Sequence, residues 1–231
     1  RVAPARTYQD LLQNSHDEAL FDYYVTSQIV RISLDGAVTP LGEPSIVQSV
    51  SPSPDGNYLL VDRVHRPYSY TVPVSRFPKL VQVWDTDGKT VYDVVDQPLA
   101  DNIPIAFGSV ETGRRSIDWR ADADATLYWA EALDGGDAGA EAEQRDRVFM
   151  LPAPFNGEPI TLATLTQRYG GITWGSDDLA MIEEWWWPTR NMKFWFIEPG
   201  DPTAEPSLWQ DRSWEDRYND PGTPMMRLTD H

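Results

Sequence analysis

Arginine is the first side chain in this sequence with the means to hold a partner at a fixed place. Acidic residues outnumber basic ones, 36 to 19. Against that background Arg63 and Arg66 near one turn, and Arg114, Arg115 and Arg120 near another, stand out. A guanidinium offers a planar fork of donors that matches a carboxylate. Arg66, Arg114, Arg115 and Arg120 are therefore the candidates for holding a substrate carboxylate. The plainer reading is that each stacks on a tryptophan or pairs with a neighbouring acid of the chain itself. In a regular strand through Trp119, Arg115, Ile117 and Trp119 share one face and Ser116, Asp118 and Arg120 the other.

Other chemistry finds little support. Nucleophilic hydrolysis calls for a nucleophile, a base and an orienter, usually with serine on a Gly-x-Ser-x-Gly elbow. Gly108-Ser109 and Gly175-Ser176 lack the second glycine. His16, His65 and His231 are far apart and without metal-ligand spacing, so no catalytic residue, metal site or cofactor is assigned. Asp85-Thr86-Asp87-Gly88 lacks the remaining ligands of a calcium loop and reads as a turn. Eight carboxylates between Asp122 and Asp146 accompany Arg145; the preferred reading is a solvated, mobile acidic loop. Glu183-Glu184 before Trp185-Trp186-Trp187 has the chemistry to hold an amine against a stacking surface. Packing of alternate tryptophans is the preferred account.

Composition narrows the partners. A net charge of -17 opposes binding to nucleic acid or an anionic membrane surface, and no apolar run approaches a membrane span. Absence of cysteine excludes disulfides and leaves the compartment open, with a periplasmic or other extracytoplasmic bacterial location slightly favoured. A start at Arg1 reads as a fragment of something longer, and His231 as a tag remnant.

The elements that must position these residues are strands. Residues 1–23 read as a polar arm with a short helix. From Tyr24 the apolar period becomes two. Hairpins are expected at Asp35-Gly36, Asp55-Gly56, Asp87-Gly88 and Asn156-Gly157, where glycine supplies the positive φ. The tail from Asp201 reads as mostly loop. Pro52-Ser53-Pro54-Asp55, Trp119-Arg120-Ala121-Asp122 and Trp174-Gly175-Ser176-Asp177 recur in phase, each between a strand and a following apolar strand. That pattern predicts an all-β fold, a partial β-propeller of about four blades of four-stranded antiparallel sheet. The approximate blades are 24–45, 46–100, 113–166 and 169–210. An incomplete ring leaves sheet faces uncovered, so self-association through open propeller edges, or completion by a longer chain, is expected.

Several runs resemble the propeller of glutamyl endopeptidases, a branch of the prolyl oligopeptidase family of serine peptidases. They include Ala5-Arg6-Thr7-Tyr8-Gln9-Asp10-Leu11-Leu12, Leu20-Phe21-Asp22-Tyr23-Tyr24, His65-Arg66-Pro67-Tyr68-Ser69 and Arg76-Phe77-Pro78-Lys79. Further runs are Ile103-Pro104-Ile105-Ala106-Phe107, Trp119-Arg120-Ala121-Asp122, Thr126-Leu127-Tyr128-Trp129-Ala130-Glu131 and Asp134-Gly135-Gly136-Asp137. The resemblance implies a non-catalytic segment that gates access to, and shapes the cavity of, a C-terminal α/β-hydrolase domain lying outside these residues. It also implies peptide substrates and a preference for acidic residues, which would give the arginines a purpose. The alternative is a stand-alone propeller module that binds a protein or small ligand.

Overall fold

The computed structural model describes residues 8–104, 106–225 and 227. The matches at residues 5–7 and 105, and the reading of His231, lie outside them. Among the described residues one α-helix, α1 (Ser15–Val25), precedes the strands. Asn14 caps it by accepting hydrogen bonds from the backbone N–H groups of His16 and Asp17, and Asp17 and Glu18 lie in its first turn. Both features offset the unpaired N–H groups at a helix start.

Thirteen strands follow among the described residues, in three antiparallel sheets. The first contains β1 (Ser27–Ile32), β2 (Val38–Pro52), β3 (Tyr58–Val64), β4 (Lys79–Asp85) and β5 (Thr90–Gln97), paired in chain order. The second contains β6 (Arg115–Trp119), β7 (Thr126–Ala132), β8 (Asp146–Pro152) and β9 (Ile160–Leu165). The third contains β10 (Arg168–Ser176), β11 (Leu179–Trp186), β12 (Asn191–Ile197) and β13 (Ser207–Ser213). Gly36, Gly56 and Gly88 have φ of 87°, 71° and 82°, as their Asp-Gly turns require. At Asn156-Gly157 the positive φ falls instead on Phe155, at 63°.

Two expectations change. About four units become three sheets, because β2 serves twice: residues 38–45 pair with β1, and residues 46–52 pair with β3. The tail is not all loop, since β13 pairs along β12 from Asn191↔Ser213 to Phe196↔Ser207. Its own alternation is weak, and the neighbouring strand supplies the hydrogen bonds that hold it extended.

The sheets pack face to face in chain order. Leu60, Val81, Val83 and Val94 of the first meet Trp119, Leu127, Trp129 and Leu151 of the second in one apolar cluster. Ala130, Val148 and Met150 on the opposite face of the second sheet meet Tyr169, Ala180, Ile182 and Ile197 of the third. Burying a large apolar side chain contributes roughly 1.5–3 kcal/mol, and Leu127, Trp129, Val148 and Ile182 have no exposed surface. The outer face of the first sheet is met by its own hairpin: a Cβ at Gly42 would lie 2.6 Å from the Trp84 ring.

Tight turns gather at one end of the stack. There the indole Nε1 of Trp119 donates to the Ser51 carbonyl across the first junction at 3.0 Å, and Arg120 reaches Asp177 across the second at 2.6 Å. The recurring turn motifs thus register each sheet on the next. The connections spanning residues 65–78, 98–114 and 133–145 emerge at the opposite end. Contacts such as Val110 N–H to the Gly136 carbonyl, 3.0 Å, draw these loops together.

Candidate functional site

Loops grouped at one end of a rigid stack are where binding residues are usually presented, and three of the four arginine candidates lie there. Arg66 stands on the 65–78 loop and grips α1: its guanidinium pairs with Glu18 and, at 2.6 Å, with Asp22, while lying 4.5 Å over the Tyr68 ring. Tyr68 donates to Asp22, and Tyr70 donates to Glu18 at 2.8 Å. The hydrogen bond from Arg66, then that from Tyr70, holds Glu18 below the usual carboxylate range. Those from Tyr68 and Arg66 do the same for Asp22.

Arg114 reaches back from the second sheet to the first. It donates to the Tyr92 hydroxyl at 2.7 Å and the Val94 carbonyl at 2.9 Å, and lies 4.3 Å over the Trp129 ring. Arg115 points the other way, to Asp146. Arg120 sits apart from these three, at the tight-turn end. Its fork holds Asp122 at 2.8 and 2.9 Å, and its Nη2 holds Asp177. Hydrogen bonding to Asp122, the largest cause, raises its pKa further. Each guanidinium is therefore met by groups of this chain.

The expected alternation of β6 does not hold. Ser116 has a positive φ of 52°, and the pairing with β7 slips between Arg115 and Asp118. The irregularity separates Arg115 from Trp119: Arg115 faces the third sheet while Trp119 packs into the cluster shared with the first. A bulge of this kind re-aims a side chain that strict alternation would have sent elsewhere.

The centre of the loop end is a residue the motifs did not reveal. Arg168 opens β10, with a side chain 1% exposed. It donates to Asp134 at 2.8 Å, Asp146 at 3.0 Å, and the carbonyls of Gly108 and Arg145 at 2.6 and 3.1 Å. Asp134 also receives Arg145, and Asp146 receives Arg115 and, at 2.6 Å, the Tyr169 N–H. Both carboxylates are fully buried. Three arginines, Arg115, Arg145 and Arg168, thus face two aspartates, and Nε of Arg115 is buried without an acceptor. So the run from Asp122 to Asp146 is not simply a solvated acidic loop: two of its acids anchor the second junction. No local signal marks this, because Asp146 and Asp134 lie 22 and 34 residues from Arg168.

The glutamate pair is split by strand alternation. Glu184 is buried towards the second sheet, accepting from Gln167 N–H at 2.7 Å and Trp195 Nε1 at 3.0 Å. Glu183 faces outwards, and desolvation raises its pKa. Trp185 and Trp187 both reach Trp214, Trp187 also stacks on Phe107 at 3.9 Å, and Trp186 lies beneath Arg145 at 3.8 Å.

Among the described residues no group of three or more His, Cys, Asp or Glu is placed to hold a metal. Nor is any helix there long and apolar enough to cross a membrane. Both ring nitrogens of His65 already face oxygens, the Arg66 carbonyl at 2.6 Å and Asp96 at 2.9 Å. That leaves neither nitrogen directed at a hydroxyl nucleophile.

Comparison with known proteins bears out the resemblance to glutamyl endopeptidases. The chain is 50% identical over 230 residues to a probable glutamyl endopeptidase, chloroplastic, of Oryza sativa subsp. japonica. It is 52% identical over 231 residues to the protein of the same description from Arabidopsis thaliana. Each match covers 99% of this chain and 24% of the relative, so the chain spans about a quarter of the length of these proteins. No family model and no solved structure matches. The expected bacterial, periplasmic or other extracytoplasmic location is corrected by the relatives, which are plant proteins described as chloroplastic. Absence of cysteine fits several compartments, and had no power to choose between them.

Proposed function

From this likeness to glutamyl endopeptidases, we propose that the chain is a non-catalytic β-propeller segment of a serine endopeptidase. In that role it gates access to, and shapes the substrate cavity of, an α/β-hydrolase domain elsewhere in the polypeptide. The observation that carries the reading is identity of 50–52% along 99% of the chain. Three sheets, each paired in chain order and stacked through apolar faces, support the propeller part.

The preference for acidic residues is assigned to the loop end. Arg115, Arg145 and Arg168 outnumber Asp134 and Asp146 there by one charge, in surroundings of low dielectric where that surplus acts strongly. Arg115 is the arginine carried forward as the reader of a substrate carboxylate, because it belongs to the loop-end network that carries the surplus charge and keeps 11% of its side chain exposed. Arg114 and Arg120 have their donors met within the stack, and Arg66 serves to hold α1.

The test uses the longer polypeptide that carries this chain. It should contain a Gly-x-Ser-x-Gly elbow with a later acid and histidine, and should cleave peptides. In that enzyme Arg115→Ala should lower kcat/KM for substrates with an acidic residue at the cleavage site about tenfold or more relative to neutral ones, since a charge-assisted contact contributes ~1.5–3 kcal/mol. Equal losses on both substrates would refute the specificity role. A carrier polypeptide without peptidase activity would refute the wider reading.

A further inference from the structure

The connection from β8 to β9 leaves one sequence signal unused. Asn156-Gly157 has the composition of a hairpin turn, yet the positive φ falls on Phe155. Phe155 anchors this connection: it is buried in the first junction, 5.2 Å from the Tyr58 ring and 5.9 Å from that of Tyr92. Its N–H donates to the Pro152 carbonyl at 3.0 Å, and the Ala153 N–H donates to the Ala125 carbonyl at 2.8 Å. Beyond Phe155 the chain leaves the stack, and Asn156, Gly157 and Glu158 are all exposed. Gly157 lies outside the left-handed region, and a Cβ added to it would meet nothing within 4 Å. Unlike Gly36, Gly56 and Gly88, it answers no demand of the backbone.

An asparagine followed by glycine has a reaction open to it that needs no enzyme. The Gly157 backbone nitrogen attacks Cγ of Asn156 and forms a new N–Cγ bond, closing a succinimide. The Cγ–Nδ2 bond breaks, and Nδ2 leaves as ammonia with the proton given up by the attacking nitrogen. Water then opens the imide at either carbonyl, giving aspartate or isoaspartate, and nothing is oxidised or reduced. The reaction needs a free side chain, a free attacking N–H and a following residue whose backbone can swing into place. Among the described residues neither the Asn156 side chain nor the Gly157 N–H has a hydrogen-bond partner. The other asparagines precede Ser15, Tyr58, Ile103, Met192 and Asp220, whose Cβ atoms hinder that approach. Asn57, Asn191 and Asn219 moreover commit their amide nitrogens to Asp55, Asp211 and Asp216 at 2.7–2.8 Å. In the Asp-Gly pairs the side chain is a carboxylate, whose charge resists a nucleophile.

We infer that Asn156-Gly157 is a site of spontaneous covalent modification, at which an exposed amide becomes an aspartyl or isoaspartyl carboxylate through a succinimide. The product carries one more negative charge at the tight-turn end of the stack. In its isoaspartyl form the backbone is also longer by one carbon directly after the Phe155 anchor. The anchor precedes the site, and residues 156–158 stand in solvent. The change therefore marks the surface without opening the first junction. It stands apart from any peptidase role.

Incubation of the longer polypeptide that carries this chain, at mildly acid and mildly alkaline pH, followed by tryptic peptide mapping, tests it. The peptide 148–168 contains Asn156 as its only asparagine. It should gain one mass unit before any other asparagine converts, and fragmentation should place both aspartate and isoaspartate at position 156. The rate should rise with pH, because the attacking nitrogen must lose its proton. Gly157→Ala should slow the conversion by about threefold or more, the scale of glycine's greater backbone freedom. That variant should unfold thermally with the parent, since the added Cβ meets open space. An Asn156 that keeps its amide, or converts no faster than the other asparagines, would overturn the inference. So would aspartate without isoaspartate, the mark of direct hydrolysis, or an unchanged rate in Gly157→Ala. Peptidase activity enters none of these readouts, so its absence would sink the proposed function and leave this result standing.

Discussion

Replacing Asp146 by asparagine should be among the most damaging single-atom changes available to this chain. The carboxylate is fully buried and holds three donors: Arg168 at 3.0 Å through Oδ1, and Arg115 and the Tyr169 N–H through Oδ2. At an effective dielectric of 20, each charge pair at such separations has a gross attraction of ~4–5 kcal/mol, most of it offset by desolvation. What remains after the substitution is worse than the loss of attraction. The amide turns two N–H donors towards groups that are themselves donors, and two buried guanidiniums keep their charge with one shared carboxylate fewer. Breaking a buried pair from one side costs about 3–5 kcal/mol. With a urea m-value of ~2–3 kcal/mol/M for a domain of this size, the midpoint should drop by roughly 1–2 M. Urea unfolding followed by tryptophan fluorescence measures it, and Asp146→Asn combined with Arg168→Met should recover part of the loss by removing one stranded charge. A loss below about 1 kcal/mol for Asp146→Asn would show that water or neighbours satisfy the arginines, and the account of a closed network would fail.

Three further outcomes are expected. The hold on α1 should weaken with acid. Glu18 and Asp22 have lowered folded pKa values, so their contribution is complete above the unfolded values of 4.5 and 3.8 and is lost as pH falls through the lower folded values. Hydrogen exchange in residues 15–25 should accelerate selectively below about pH 4; uniform acceleration across the sheets would contradict this. Glu183 carries the opposite sign, since its raised pKa penalises the ionised form above the unfolded value of 4.5. Glu183→Gln should therefore raise the melting temperature at pH 7 and have no effect near pH 3.5; a destabilising effect at pH 7 would reveal a cation already paired with it. Gly136→Ala should cost about 2 kcal/mol or more, because the residue has φ of +75° and an added Cβ would lie 2.2 Å from the Val110 carbonyl oxygen. Thermal unfolding of the variant within a degree or two of the parent would mean that the 98–114 and 133–145 loops yield at little cost.

The strands with local signals were legible in advance. Asp-Gly pairs marked three hairpins because only glycine enters positive φ without strain, and the runs around Trp119 and Trp174 revealed a repeat in phase. β13 was hidden because its extended form depends on β12 rather than on its own alternation. The merging of the first hairpin with the next unit was hidden in β2, whose two halves pair with different strands.

What the sequence by itself determined is therefore the period of two, the turns, the repeat and the likeness to glutamyl endopeptidases, each written in residues close together or in a pattern read along the chain. Tertiary structure alone decided which charges meet. It paired Arg168 with acids 22 and 34 residues earlier, turned Arg115 away from Trp119 through the irregularity at Ser116, and sent Glu183 and Glu184 to opposite faces. The physical reason is one of range: backbone preference acts over a few residues, whereas the cost of burying a charge is settled by whichever partners the fold brings within hydrogen-bonding distance.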